Sequence, residues 1–193
     1  MDKTEYLQNT IATYLEDLSA KRMVPGGGSV SALGASLAAS LNLMVINFSI
    51  NGIEDSPILL ECRKEQEEGL DVLKKAIDDD CEVFLRLMKE ISDKKAGPES
   101  YKNAASVPLI VCGECARSAK VSLDILPHAN ANLKSDIRCA VHMLKAAFYS
   151  ARENVEINLT GISDTVYVES LKAVLSENEK KILEAERDIL DKK

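Results

Sequence analysis

Tryptophan is absent from the 193-residue chain, and only three Phe and five Tyr are present. Sheets draw on aromatic and β-branched side chains, so a core made mostly of Leu, Ile, Val and Ala points to packed helices. Basic charge is scarce as well. There are 31 acidic against 24 basic residues and the net charge is −7. No run of Lys and Arg supplies the footprint that nucleic acid requires, which sets that class of partner aside. The N-terminal MDKTEYLQNTI carries acids and lacks the apolar core of a signal peptide, so a cytoplasmic location is expected. Cys62, Cys81, Cys112, Cys115 and Cys139 are an odd set that suits reduced thiols better than a disulfide framework. What remains is ordinary: 46% apolar and 28% charged residues fit one folded domain over residues 1–193.

Spacing along the chain is helical throughout. Leu7, Ile11, Tyr14, Leu15 and Leu18 recur at steps of three and four, which predicts a helix over residues 4–20. Pro25-Gly26-Gly27-Gly28 then breaks the chain, and Ser29 is placed to cap a second helix. That helix is unusual, because no charged residue occurs from Met23 to Ile53. The run is long enough for a membrane span, but Ser29, Ser31, Ser36, Ser40, Asn42, Asn47 and Ser49 are spread along it. Ala32, Ser36 and Ser40 repeat at four-residue steps, as do Gly34 and Ala38, which lets helices approach closely. The expectation is a central helix buried on all sides rather than a membrane helix, part of it covered by a second subunit. Further helices are expected from Pro57 to about Ser92, from Pro108 to about Leu126, after a cap at Ser135 or Asp136, and over the heptad-like stretch from Val168 to Ile189. The fold class is therefore all-α, about six helices in a bundle around the small-residue helix.

One residue breaks the pattern. Leu70, Leu73, Ile77, Phe84 and Ile91 form an apolar stripe, and Asp80 lies only about 40° from its centre at about 100° per residue. Asp78 and Asp79 point away, toward solvent. A carboxylate aimed at an apolar interior costs several kcal/mol unless it is paired or protonated. It is either a packing carboxylate bonded to a neighbour or an acid/base group tuned by burial. Spacing leaves both open.

Cys112-Gly-Glu-Cys115 with Cys139-Ala-Val-His142 matches a zinc pattern on paper. Both pairs fall inside helices, however, where residues three apart share a face and become core. His128 reads as a surface residue in a polar loop. Pro25-Gly-Gly-Gly-Ser29 lacks the Lys of a phosphate-binding loop, although a glycine-rich helix N-terminus attracts anions in general.

Five segments in order resemble a known family. Pro25-Gly-Gly-Gly-Ser-Val30 leading into the small-residue helix, Ile77-Asp-Asp-Asp-Cys-Glu-Val-Phe84, Ser106-Val-Pro-Leu109, Asn130-Ala-Asn-Leu-Lys-Ser-Asp136 and Asn154-Val-Glu-Ile-Asn-Leu159 are similar to the cyclodeaminase domain of formiminotransferase-cyclodeaminase. The same domain occurs alone as a methenyltetrahydrofolate cyclohydrolase. The resemblance implies a dimeric all-helical fold acting on the N5–N10 bridge of tetrahydrofolate, with a folate as substrate and no metal or nucleotide cofactor. The leading expectation is conversion of 5-formiminotetrahydrofolate to 5,10-methenyltetrahydrofolate and ammonia. The alternatives are a cyclohydrolase, or a non-catalytic helical dimer that kept the fold. By motif position Asp80 is the acid/base residue, and Gly26, Gly27, Gly28 and Ser29 shape the folate pocket. Asn130, Ser135 and Asp136 order one wall, and Asn154 and Asn158 supply polar contacts. The chain departs from the family pattern in having Ala129 before the loop Asn, and two acids and no base in Asn51–Ser56.

Overall fold

A computed structural model describes residues 5–50 and 56–191, so the acidic stretch within residues 51–55 and the first four residues lie outside the described residues. The elements are α1 (Ile11–Ser19), α2 (Gly27–Ser49), α3 (Pro57–Ser92), α4 (Pro98–Ile125), α5 (Lys134–Leu159) and α6 (Thr165–Asp191), and no strand occurs among the described residues. Three 3-10 turns complete them, at Tyr6–Gln8, Leu126–His128 and Ala131–Leu133. Helix α2 packs on α3, α4 and α5, and α6 closes over α4 and α5. One hydrophobic cluster runs from Tyr6 to Ile189.

Several expected boundaries shift for identifiable reasons. The first helix starts at Ile11 because the Thr10 hydroxyl accepts from the Thr13 N–H at 3.1 Å, which caps a new start and leaves Leu7 in a separate 3-10 turn. Ile11 and Leu15 are exposed, and Tyr14 alone of α1 is buried. Ser29 is not a cap. Gly26 takes that position and Ser29 lies inside the first turn of α2. Pro108 does not start a helix either: α4 begins ten residues earlier, at Pro98, where the Gly97 N–H donates to Ser100 Oγ at 3.2 Å. Leu133 occupies the cap position of α5, so Ser135 and Asp136 fall in its first turn.

The buried polar residues of α2 are satisfied, as burial demands. Ser31 and Ser36 donate to carbonyls three and four residues back. Asn42, fully buried, donates to Gln66 Oε1 at 3.1 Å, to the Ser118 carbonyl at 3.2 Å and to Ser122 Oγ at 2.9 Å, joining α2 to α3 and α4.

Burial of α2 on all sides is not observed in the single chain. Val30, Leu37 and Phe48 are 37%, 50% and 67% exposed and share a stripe with half-buried Leu33, Leu41 and Met44. Among the described residues α2 alone is long and apolar enough to cross a membrane, yet its other faces form the middle of the bundle.

Candidate functional site

The carboxylate that interrupts the α3 stripe stands at the wall of a cavity of about 370 Å³. Before Asp80 the stripe enters the core, with Leu73 and Ile77 buried. Beyond it, Phe84, Leu87 and Ile91 turn to line the cavity, which is why Phe84 and Ile91 remain 37% and 42% exposed. Other parts of the wall are contributed by Met23, Val24, Gly26, Gly27 and Gly28 before and at the start of α2, by Tyr101 of α4, and by Asn154, Ile157 and Asn158 of α5.

Asp80 is pressed against the first turn of α2. A β-carbon on Gly28 would come within 2.6 Å of Asp80 Oδ2 and closer still to Oδ1, separations no real side chain tolerates. Glycine is required here for close approach rather than for backbone conformation, since no glycine among the described residues has positive φ. Burial pushes the Asp80 carboxyl up to about 6, and the backbone N–H of Ser29 partly offsets that rise. An acid with that pKa exists in both forms near neutral pH, the condition for giving and taking protons. The Ser29 side chain turns away from the cavity and meets Tyr14 Oη at 3.0 Å, a buried contact that fixes the turn presenting its N–H.

The two asparagines of α5 face the same space. Asn154 Nδ2 donates to the Ser150 carbonyl at 2.8 Å and Asn158 Nδ2 to the Asn154 carbonyl at 2.7 Å. One N–H of each amide is thereby engaged within the helix, and the carboxamide oxygen and the second N–H are left for a guest. Gly27 keeps α2 close to this face, since its absent β-carbon would lie 3.1 Å from Asn154 Nδ2.

The expected wall of Asn130, Ser135 and Asp136 is not part of this cavity. Asn130 Oδ1 accepts from the Asn132 N–H at 3.0 Å, and the Asn130 N–H donates to Ser49 Oγ at 2.9 Å, at the far end of α2. At 1.5 Å per residue that end is about 30 Å from Gly28. Ser135 and Asp136 begin α5 and are separated from Asn154 by nearly the whole of that rigid helix. Six expected residues (Gly26, Gly27, Gly28, Asp80, Asn154 and Asn158) are brought together, and Ser29 supports them from behind.

Asp78 does not point to solvent. It is half-buried and accepts from the Tyr6 N–H at 2.7 Å, anchoring the N-terminal turn to α3, while Asp79 lies 3.5 Å from Lys75 Nζ. Cys112 and Cys115 are buried, with burial pushing Cys112 up to about 12 and Cys115 well above the ordinary thiol range, so both behave as neutral core thiols. Cys139 is exposed, and His142 pairs with Glu186 of α6 at 3.0 Å rather than packing in the core. No group of three metal-ligating side chains gathers among the described residues. His128 is exposed, as its polar loop suggests.

Met23, Tyr101, Ile157 and Thr160 line the cavity without having been singled out by sequence. Ile157 carried a signal: it lies three residues from Asn154, an apolar residue on the face that carries that asparagine.

Taken together, the fold and cavity define an all-helical protein with one half-buried carboxylate facing a largely apolar pocket at a glycine-rich helix start. The chain belongs to the formiminotransferase-cyclodeaminase family, whose model matches residues 10–177. It is 30% identical over 174 residues to the methenyltetrahydrofolate cyclohydrolase of Methylorubrum extorquens, covering 83% of this chain and 84% of that one. It is also 30% identical to the formimidoyltransferase-cyclodeaminase of Gallus gallus, matching 80% of this chain and only 31% of that longer one. Among solved structures, formiminotetrahydrofolate cyclodeaminase from Thermotoga maritima superposes with a TM-score of 0.89 at 28% identity, covering 96% of each chain.

Proposed function

We propose that this protein is a formiminotetrahydrofolate cyclodeaminase, with Asp80 as its acid/base residue. The observation that carries the proposal is the single carboxylate, set against Gly28 at the cavity wall with its pKa raised to about 6. In 5-formiminotetrahydrofolate the formimino carbon is an amidinium, and N10 must add to it. As N10 attacks, the ionised Asp80 takes the N10 proton and the carbon becomes tetrahedral. The protonated Asp80 then passes that proton to the amino group, which leaves as ammonia while the N5–C–N10 methenyl cation forms. Charge and atoms balance, and Asp80 returns to the carboxylate, which also stabilises the cation beside it. One C–N bond forms to N10 and one breaks as ammonia leaves, and apart from these the steps move only protons and draw on no cofactor. Asn154 and Asn158 offer carboxamide oxygens to substrate N–H groups, and Gly26, Gly27 and Gly28 let the substrate approach the backbone.

A second reading is supported by the Methylorubrum relative, which is named a cyclohydrolase and is similar to this chain over most of its length. There water would add to the methenyl carbon, Asp80 taking one proton and delivering it to the nitrogen that departs, and the remaining hydroxyl proton would leave to solvent as the formyl group forms. The methenyl chromophore separates the two. A catalysed rise in its absorbance from 5-formiminotetrahydrofolate establishes the cyclodeaminase, and a catalysed fall from 5,10-methenyltetrahydrofolate establishes the cyclohydrolase. No change in either over the uncatalysed rate leaves the non-catalytic dimer.

The proposal includes a homodimer in the cytoplasm. The bare, uncharged stripe of α2 from Val30 to Phe48 supports a second copy as its cover, and the five unpaired cysteines support a reducing compartment.

A further inference from the structure

A second glycine seats a second side chain at this cavity. A β-carbon on Gly161 would stand within 2.5 Å of Tyr101 Cδ2 and closer to Cγ and Cδ1. Near-equal distances to three ring atoms place it over the face of the ring, so the ring lies flat on the bare α-carbon of Gly161. A glycine just past a helix end commonly serves a left-handed backbone, but Gly161 has no positive φ. Its lack of a side chain is explained by the Tyr101 ring alone.

The ring is held from other directions too. Tyr101 lies in the first turn of α4, fixed by Pro98 and by the Gly97–Ser100 hydrogen bond, and Lys102 beside it places its ammonium 4.6 Å from the Tyr167 ring centroid of α6. Among the described residues Tyr101 and Phe84 are the only rings lining the cavity, whose wall is otherwise mostly aliphatic apart from Asp80, Asn154, Asn158 and Thr160. With one face covered by glycine, the Tyr101 ring turns its remaining surface toward the space that Asp80 borders.

We infer that Tyr101 binds the substrate by stacking on one of its planar rings, and that Gly161 is the positioning residue that sets the depth of that stack. The inference rests on the folate reading above, and a reduced pterin and an aminobenzoyl ring are both flat enough to be the guest.

The test is steady-state kinetics of the full chain with 5-formiminotetrahydrofolate and 5,10-methenyltetrahydrofolate, on wild type, Tyr101→Leu, Tyr101→Phe and Gly161→Ala. Tyr101→Leu is expected to raise KM about ten-fold for the substrate that turns over, leaving kcat within about three-fold. Tyr101→Phe, which keeps the ring, returns KM toward wild type. Gly161→Ala raises KM with the tyrosine still present, and it carries the test if Tyr101→Leu does not fold. Competitive inhibition by p-aminobenzoylglutamate and by a reduced pterin lacking that tail identifies the stacked ring, as the fragment whose inhibition weakens in the variants. If neither weakens, if KM is unmoved in Tyr101→Leu, or if Tyr101→Phe is as impaired as Tyr101→Leu, the stacking role is wrong. A wild-type chain inert toward both folates defeats the folate reading itself, a distinct result.

Discussion

The carboxylate of Asp80 rests on the α-carbon of Gly28, in space that any other residue at position 28 would occupy. This contact places an acid from the middle of a 36-residue helix against the first turn of another. It keeps the acid buried enough to raise its pKa, and close enough to the Ser29 N–H to hold one orientation.

Asp80→Asn is expected to lower turnover by about 10²–10⁴-fold, the usual contribution of a positioned acid/base group. The same variant should be more stable than wild type at pH 8. Because the folded-state pKa is raised, the native protein binds more protons than the unfolded chain between about pH 4 and 6, and stability falls as pH rises through that window. A shift from 3.8 to about 6 corresponds to up to about 3 kcal/mol. Urea denaturation of both proteins at pH 4 and pH 8 checks it: the advantage of Asn should grow with pH.

The kcat/KM profile should fall on the acid side with an apparent pKa of about 6. Below that value Asp80 is protonated and cannot take the proton from N10. A profile flat from pH 5 to 8 would assign the chemistry to another group.

Gly28→Ala forces the carboxylate off its seat, so activity should drop nearly as far as in Asp80→Asn. Gly113→Ala is the control: a β-carbon there meets nothing within 4 Å, and the site is a helix interior remote from the cavity. It should keep full activity and gain about 0.5–1 kcal/mol in thermal or urea unfolding.

Tyr14→Phe removes the hydroxyl that meets buried Ser29 Oγ at 3.0 Å. The expected loss is about 1–2 kcal/mol of stability, read by denaturant midpoint, with m unchanged.

Much of this architecture was legible because helical periodicity and chain breakers are local. The third helix runs from Pro57 to Ser92 as its spacing predicts, and Asp80 stood out from the stripe with no knowledge of its neighbours. Local capping was harder. Gly26 and Pro98 set the starts that Ser29 and Pro108 mark in the sequence, and Thr10 caps a first helix expected from residue 4, because a cap depends on which hydroxyl or glycine the chain geometry uses. Pro108 survives inside α4 as a buried residue, a case where packing overrides a breaker. The least legible part was which motifs meet. Asn130 and Asn154 are separated by 24 positions, most of them one straight helix, so motifs adjacent in sequence lie at opposite ends of the bundle. Tyr101 left no sequence signal, since its partner Gly161 is 60 residues away.

The polar cluster around Asn42 has a mechanical consequence. Its hydrogen bonds to Gln66, Ser118 and Ser122 lock α2 along its own axis in its C-terminal half. Sliding α2 by one turn, about 5.4 Å, would strand the fully buried Asn42 amide, while Gln66, Ser118 and Ser122 would keep their bonds to one another. The distance from Gly28 to Asp80 is thus clamped from about four turns away, and the Asp80 end of the cavity is assembled before any guest arrives. A helix free of charge and rich in small residues would otherwise be the easiest in the bundle to slip, and Asn42 is the bolt that stops it.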